Sequence, residues 1–192
     1  MKIFLDSTSI DEVKKAIDYK LIDGVHFGSD FSTIKDMNLN EDVMEILKIV
    51  HGPVVIKTSE LNSQCILDDA KCIIGFGPNA VVEIPTTLEG LKAAGILSER
   101  DIPVSMVSRL ISVQAVMAAR LGGDFVNLKL HETEQEEGAS ESLDSIVSIF
   151  KNYDFKSKII ASGLTEVKQV SEALRIGVDI ISVSYELLIK LV

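Results

Sequence analysis

The sequence has no tryptophan, and only three tyrosines and seven phenylalanines among its 192 residues. A core of that size must then be built from Ile, Leu, Val and Ala, which suits a parallel sheet wrapped in helices. There are two cysteines, Cys65 and Cys72. On one helix their spacing puts them roughly 10 Å apart, too far for a disulfide. They form neither a CxxC nor a Cys/His metal spacing, so they read as buried thiols. A basic stripe is also missing: 29 acidic residues against 19 basic ones give a net charge of −10. That argues against nucleic acid and anionic membrane surfaces as partners. No apolar run reaches membrane-spanning length and no signal-like segment opens the chain, so a cytoplasmic protein is expected. A P-loop, a GxSxG and an HExxH are absent, and no GxGxxG follows the first strand. No cofactor is expected.

Hydrophobic content of 46% and charged content of 25% describe a globular chain. Short apolar runs alternate with helical patterns almost to the end. "KIFLD" reads as a strand and "SIDEVKKAID" as its helix, with Ser9 and Glu12 spaced as a capping box. "DGVHF", "PVVIKT", "AVVEI", "PVSMV", "DFVNLKL", "KIIAS" and "DIISVS" are the later strands, and a helical pattern follows each. Parallel strands need crossovers, and helical crossovers are right-handed. Eight such units in series predict one (β/α)8 barrel over residues 1–192, with functional groups at the C-terminal strand ends. A doubly wound open sheet is the rival, disfavoured by the missing dinucleotide fingerprint.

One strand carries a conspicuous cost. "NAVVEIP" (Asn79–Pro85) is apolar except for Glu83. An ionised carboxylate buried there costs several kcal/mol unless something pairs with it.

The stretches "MKIFLDS", "IDGV", "GPV", "VVEIPTTLEGLKAA", "SVQAVMAARLGGDFV", "IIAS" and "GVDIISV" resemble, in order and spacing, those of the small transaldolase and fructose-6-phosphate aldolase family. The resemblance runs from Met1 to about Leu191. It implies the aldolase-type barrel and an enzyme of carbohydrate metabolism that moves a dihydroxyacetone unit through a Schiff base on a strand-four lysine, in the pattern V-V-K-I-P. In this chain that position is Glu83, and a carboxylate forms no imine. Other positions depart as well. The T-T-N-P motif reads His26-Phe27-Gly28-Ser29, and the N-x-T of strand five reads Ser105-Met106-Val107. The arginine after strand six falls at Glu132, and the serine and basic residue after strand seven fall at Gly163 and Thr165. Asp6 is retained. These departures fall on one site, which predicts that it has been released or rebuilt.

The resemblance also places Lys57 where the family has Glu or Gln on strand three, and Lys129 where it has an aromatic on strand six. If barrel parity holds, Asp6, Lys57, Glu83 and Lys129 all face inward, and Lys57 is the expected partner of Glu83. A structural ion-pair network is one reading, since loss of either partner of a buried pair is costly. A relocated amine, Lys57 or Lys129, with Glu83 as proton partner and Asp6 as orienting acid, is the other. Two carboxylates close to an ammonium oppose that second reading, because they favour its charged form.

Around this catalytic set, His26, Ser105, Asn127, Arg109 and Thr165 are the candidate substrate contacts. Thr165 also reads as a helix N-cap. The rim reads as poor in donors and positive charge, with Arg109 its main base and "HETEQEEG" supplying Glu132, Glu134, Glu136 and Glu137 against a phosphate. His26 and His131 with the neighbouring glutamates make only a weak metal set, and no metal is expected. The related enzymes carry a C-terminal arm that packs in a ring, whereas this chain ends in "YELLIKLV". A homo-oligomer is open, without that arm. Expected functions are a transaldolase-like barrel that has lost the phosphosugar reaction, an aldolase-type enzyme acting on a non-phosphorylated carbonyl compound or sugar, or a metabolite-binding or interaction protein.

Overall fold

The computed structural model describes residues 1–27, 41–58, 62–130 and 142–192, and the side chains of all of these but 41 and 42. Eight strands alternate with eight helices along the described residues. They run β1 (Lys2–Asp6), α1 (Ile10–Asp18), β2 (Gly24–Phe27), α2 (Glu41–Ile49), β3 (Val54–Lys57), α3 (Ser63–Phe76), β4 (Ala80–Pro85) and α4 (Leu88–Ser98). Then follow β5 (Val104–Ser108), α5 (Ser112–Arg120), β6 (Phe125–Lys129), α6 (Leu143–Asn152), β7 (Lys158–Leu164), α7 (Val167–Ile176), β8 (Ile180–Ser184) and α8 (Tyr185–Lys190). Each strand pairs in parallel with the next, and β8 returns to β1 with Ile3 beside Ile181. The sheet therefore closes as a (β/α)8 barrel, and the open-sheet rival is excluded.

Strand periodicity sorts the side chains onto two faces. Leu5, Val25, Ile56, Val82, Ile84, Met106, Val126, Leu128 and Ile181 face out and pack with the helices in the main core. Phe4, Val55, Val81, Ile160 and Ile180, joined by Phe125, fill the inside of the barrel floor as a second cluster. Two residues further along the same strands, the inward positions turn polar: Asp6, Lys57, Glu83, Asn127, Ser162 and Ser182. The apolar floor thus carries a polar layer toward the C-terminal strand ends, where (β/α)8 enzymes place their chemistry. Gly24 gives the floor its fit. A Cβ there would lie 2.6 Å from the Pro53 carbonyl oxygen and 2.7 Å from the Phe4 ring.

Several local expectations change. Ser9 Oγ accepts from the Glu12 amide, but the Glu12 carboxylate takes the Ser7 hydroxyl, and the Ser9 amide donates to Ser7 Oγ at 3.1 Å. Only half of the predicted capping box forms, because Ser7 intercepts the other half. Thr165 is not the N-cap of α7. Glu166 holds that place, and Gln169 Oε1 accepts from the Thr165 amide, the Thr165 hydroxyl and the Glu166 amide. Strand β7 continues past Ser162 to Leu164 through an irregularity where Gly163 adopts φ +73°, a conformation suited to glycine. The cysteines are free thiols, but Cys72 is exposed and Cys65 half-buried. The inward face of α3 is taken by Ile66, Asp69, Ala70 and Ile73. The amphipathic pattern "NEDVMEILKIV" predicts a helix from Asn40, a residue that lies outside the described ones.

Filling the Gly24 position should be felt at the floor. Gly24→Ala is expected to cost about 1–3 kcal/mol, the usual range for an overpacked core. Equilibrium urea unfolding would show it as a lower midpoint at unchanged slope.

Candidate functional site

Glu83 sits on β4 with 1% of its surface exposed. Its Oε2 accepts from His26 Nε2 at 2.9 Å and from Asn127 Nδ2 at 3.0 Å. The other imidazole nitrogen, Nδ1, lies 3.0 Å from Ser182 Oγ, and Ser162 Oγ donates to Asn127 Oδ1 at 2.6 Å. A buried chain, Ser182–His26–Glu83–Asn127–Ser162, therefore crosses the barrel and joins β8, β2, β4, β6 and β7. The partner that answers Glu83 at Oε2 is a histidine, which the sequence suggested only as a substrate contact or weak metal ligand.

The charges support an ion pair. Burial pushes the His26 imidazole down, yet its pKa is raised overall, because Glu83 acts on it through charge and hydrogen bond and Asp6 adds to this; Lys129 opposes. Burial pushes Glu83 up, yet its carboxyl lies below the ordinary range, drawn there by His26, by the Asn127 amide and by Lys129. With both nitrogens protonated, His26 donates to Glu83 and to Ser182 Oγ. Removing either partner of such a pair strands a buried charge.

The mouth of the barrel above Glu83 is a cleft of about 610 Å³, lined by Lys57, Glu83, Pro85, Thr86, Thr87, Val107, Ser108, Arg109, Gln114 and Lys129. Lys57 stands beside Glu83 in the β3–β4 register, and Ser105 stands beside it on β5. Lys57 and Lys129 are half-buried at their strand ends, and Arg109 is exposed. Asp6 does not line this cleft. It lines a neighbouring one of about 330 Å³ with Thr165, Ser182, Ser184, Glu186 and Lys190. Of the four inward charges expected together, three share a cleft, while Asp6 reaches the group through its field on His26. Three of the ten described lining residues, Lys57, Arg109 and Lys129, are cationic. Thr86, Thr87 and Gln114 were not foreseen. The positions His131, Glu132, Glu134, Glu136 and Glu137, and likewise Gly28 and Ser29, lie outside the described residues.

Ser105 is fully buried, and among the described residues its Oγ has no hydrogen-bond partner. Among the described residues no three His, Cys, Asp or Glu side chains gather in a metal-binding group. No helix among them is long and apolar enough to cross a membrane.

The family model for Transaldolase/Fructose-6-phosphate aldolase matches residues 28–192. The chain belongs to this family. A "Probable transaldolase" of Aquifex aeolicus is 32% identical over 192 residues, covering 100% of this chain and 88% of that protein. A "Probable transaldolase" of Dictyoglomus turgidum is 34% identical over 194 residues, covering 100% and 90%. Among solved structures, 3-hexulose-6-phosphate synthase superposes with a TM-score of 0.65 over 96% of this chain and 90% of its own, at 14% identity, which supports the barrel fold. Within this transaldolase/aldolase barrel, Glu83 and His26 occupy the interior at the level where the strand ends open into the cleft.

The pair sets a pH window for stability. His26, raised above its ordinary 6.5, contributes fully below about pH 6.5 and loses its share as pH rises through the folded value. Glu83, lowered from its ordinary 4.5, contributes above about pH 4.5 and loses its share as pH falls through the folded value. Stability from the pair is therefore greatest between these limits. His26→Leu is expected to cost about 3–5 kcal/mol and to flatten the alkaline slope, whereas His26→Leu with Glu83→Leu recovers most of the loss. Denaturation midpoints across pH for the single and double variants measure both effects.

Proposed function

We propose that this family member binds a small carbonyl metabolite in the cleft above Glu83 but has given up imine formation at strand four. The observation that carries the reading is the state of Glu83. It is an ionised, buried carboxylate held by His26 and Asn127, at the position where the family resemblance implies an amine. A carboxylate so held is neither an electrophile trap nor a free base, and its role is to fix the polar layer. The cleft has a volume within the usual range for small-molecule sites and polar side chains along its lining, among them Lys57, Thr86, Gln114 and Lys129.

A second reading keeps catalysis, with Lys57 or Lys129 as the amine. It is favoured by their place on the same cleft, half-buried at the C-terminal ends of β3 and β6. Asp6 lines the neighbouring cleft and acts on His26 through its charge.

Borohydride reduction separates the two. The protein is incubated with fructose 6-phosphate or dihydroxyacetone, reduced, and weighed intact before peptide mapping. No covalent adduct, and no transfer of a three-carbon unit from fructose 6-phosphate to an added aldose phosphate acceptor, is the expected result. An adduct on Lys57 or Lys129 would establish the second reading, and turnover of fructose 6-phosphate would overturn the first.

A further inference from the structure

The buried chain that crosses the barrel reaches two different clefts. Glu83 lines the larger one. Ser182 lines the smaller one of about 330 Å³, beside Gly163, Leu164 and Thr165. Between them lies His26, buried, with Nδ1 3.0 Å from Ser182 Oγ and Nε2 2.9 Å from Glu83 Oε2. A hydroxyl, an imidazole and a carboxylate, each within hydrogen-bond reach of the next, are the parts of an activated nucleophile. Such a set is recognised by geometry and roles. Here the ring nitrogens are used in the reverse of the usual order, Nδ1 toward the hydroxyl and Nε2 toward the carboxylate, which changes neither role.

Glu83 decides which nitrogen can act as base. A carboxylate only accepts, so it keeps the proton on Nε2. In the neutral imidazole Nδ1 then presents its lone pair, and Ser182 Oγ donates to it. In the charged imidazole Nδ1 donates to Ser182 Oγ, and no base faces the hydroxyl. Glu83 from β4 and Asp6 from β1 favour the charged form, whereas Lys129 from β6 opposes it. Asp6 and Lys129 each keep a further contact within the protein. The base is therefore set free as pH rises through a value above the ordinary 6.5.

The sheet is irregular at the same place. Strands β7 and β8 pair at Ala161 with Ile181 and again at Leu164 with Val183, which sets Ser162 and Gly163 against Ser182 alone. A bulge of this kind leaves a residue out of the ladder and is common beside active sites.

We propose that Ser182 is a nucleophile toward small esters in the smaller cleft, with His26 as its base and Glu83 as the residue that positions the base. Ser182 Oγ attacks the ester carbonyl carbon, and its proton passes to His26 Nδ1. The carbonyl re-forms, the bond to the alcohol oxygen breaks, and that oxygen takes the proton from Nδ1. Water repeats the sequence on the acyl-serine, which releases the acid and restores the hydroxyl. Backbone donors for the tetrahedral oxyanion come from the bulge at Ser162 and Gly163. Ser182 is only 2% exposed, so the acyl group is short. Nothing in this chemistry depends on what the larger cleft binds.

Reaction of the full chain with p-nitrophenyl acetate tests it. Nitrophenolate release is followed across pH, and the digested protein is mapped by mass spectrometry. An acetyl group on Ser182 is expected, with a rate that rises along the His26 titration read from its ring-proton resonances. Ser182→Ala should lower release by about a hundredfold, the low end for a positioned base. Glu83→Gln should move the rate profile to lower pH, because the imidazole loses the charge that holds its proton. A carboxylate that served packing alone would leave the profile in place. Where a variant fails to fold, the acetylated position and the pH profile of the unaltered protein decide. Acetyl groups on other residues only, release unchanged in Ser182→Ala, or a rate indifferent to the His26 titration would each overturn the assignment.

Discussion

A carboxylate inside an apolar cylinder has to be matched where it lies. In this barrel the match is the His26 imidazole two strands away, 2.9 Å from Glu83 Oε2; the carboxylate raises its pKa. The pair is nearly free of solvent, so its attraction is not diluted by water, but neither is the cost of stripping the two ions of theirs. Asn127 and Ser182 complete the hydrogen bonding on either side. What results is a polar layer tied across five strands, set on a floor of Phe4, Val55, Val81, Ile160 and Ile180.

The same pair accounts for how a catalytic-looking position can hold a glutamate without unfolding the protein. By the family resemblance, position 83 is the place of a lysine and position 26 the place of a threonine. Exchanging the lysine for an acid alone would bury a lone anion. A histidine at position 26 meets it at 2.9 Å. The two departures therefore read as a single physical event. Lys57, Lys129 and Arg109 line the cleft above the pair.

The (β/α)8 order was legible because each strand is a short Val/Ile-rich run and each helix an amphipathic segment, as in "PVVIKT" followed by "NSQCILDDAKCII". Inward parity was legible too, since Glu83 and Asn127 each sit two residues beyond an apolar floor residue. The contact of Glu83 with His26 was not. Lys57 is its neighbour in register and drew attention as the adjacent opposite charge, whereas His26 lies on β2, beyond β3. Strand tilt and stagger in a closed barrel bring such side chains together across the axis. Small features escaped for similar reasons. Ser7 took the Glu12 carboxylate, and α3 turned Cys72 outward, because each depends on a competing neighbour.

By itself, the sequence determined the alternation of elements, the closing of the sheet and which residues face inward, since these follow from periods of two and of 3.6 that are written along the chain. Tertiary structure alone decided which inward residue touches which. It paired Glu83 with His26, moved Asp6 into a neighbouring cleft and gathered three cations around the mouth. The physical reason is that contacts across a barrel axis depend on stagger and side-chain reach, two quantities that no one strand contains.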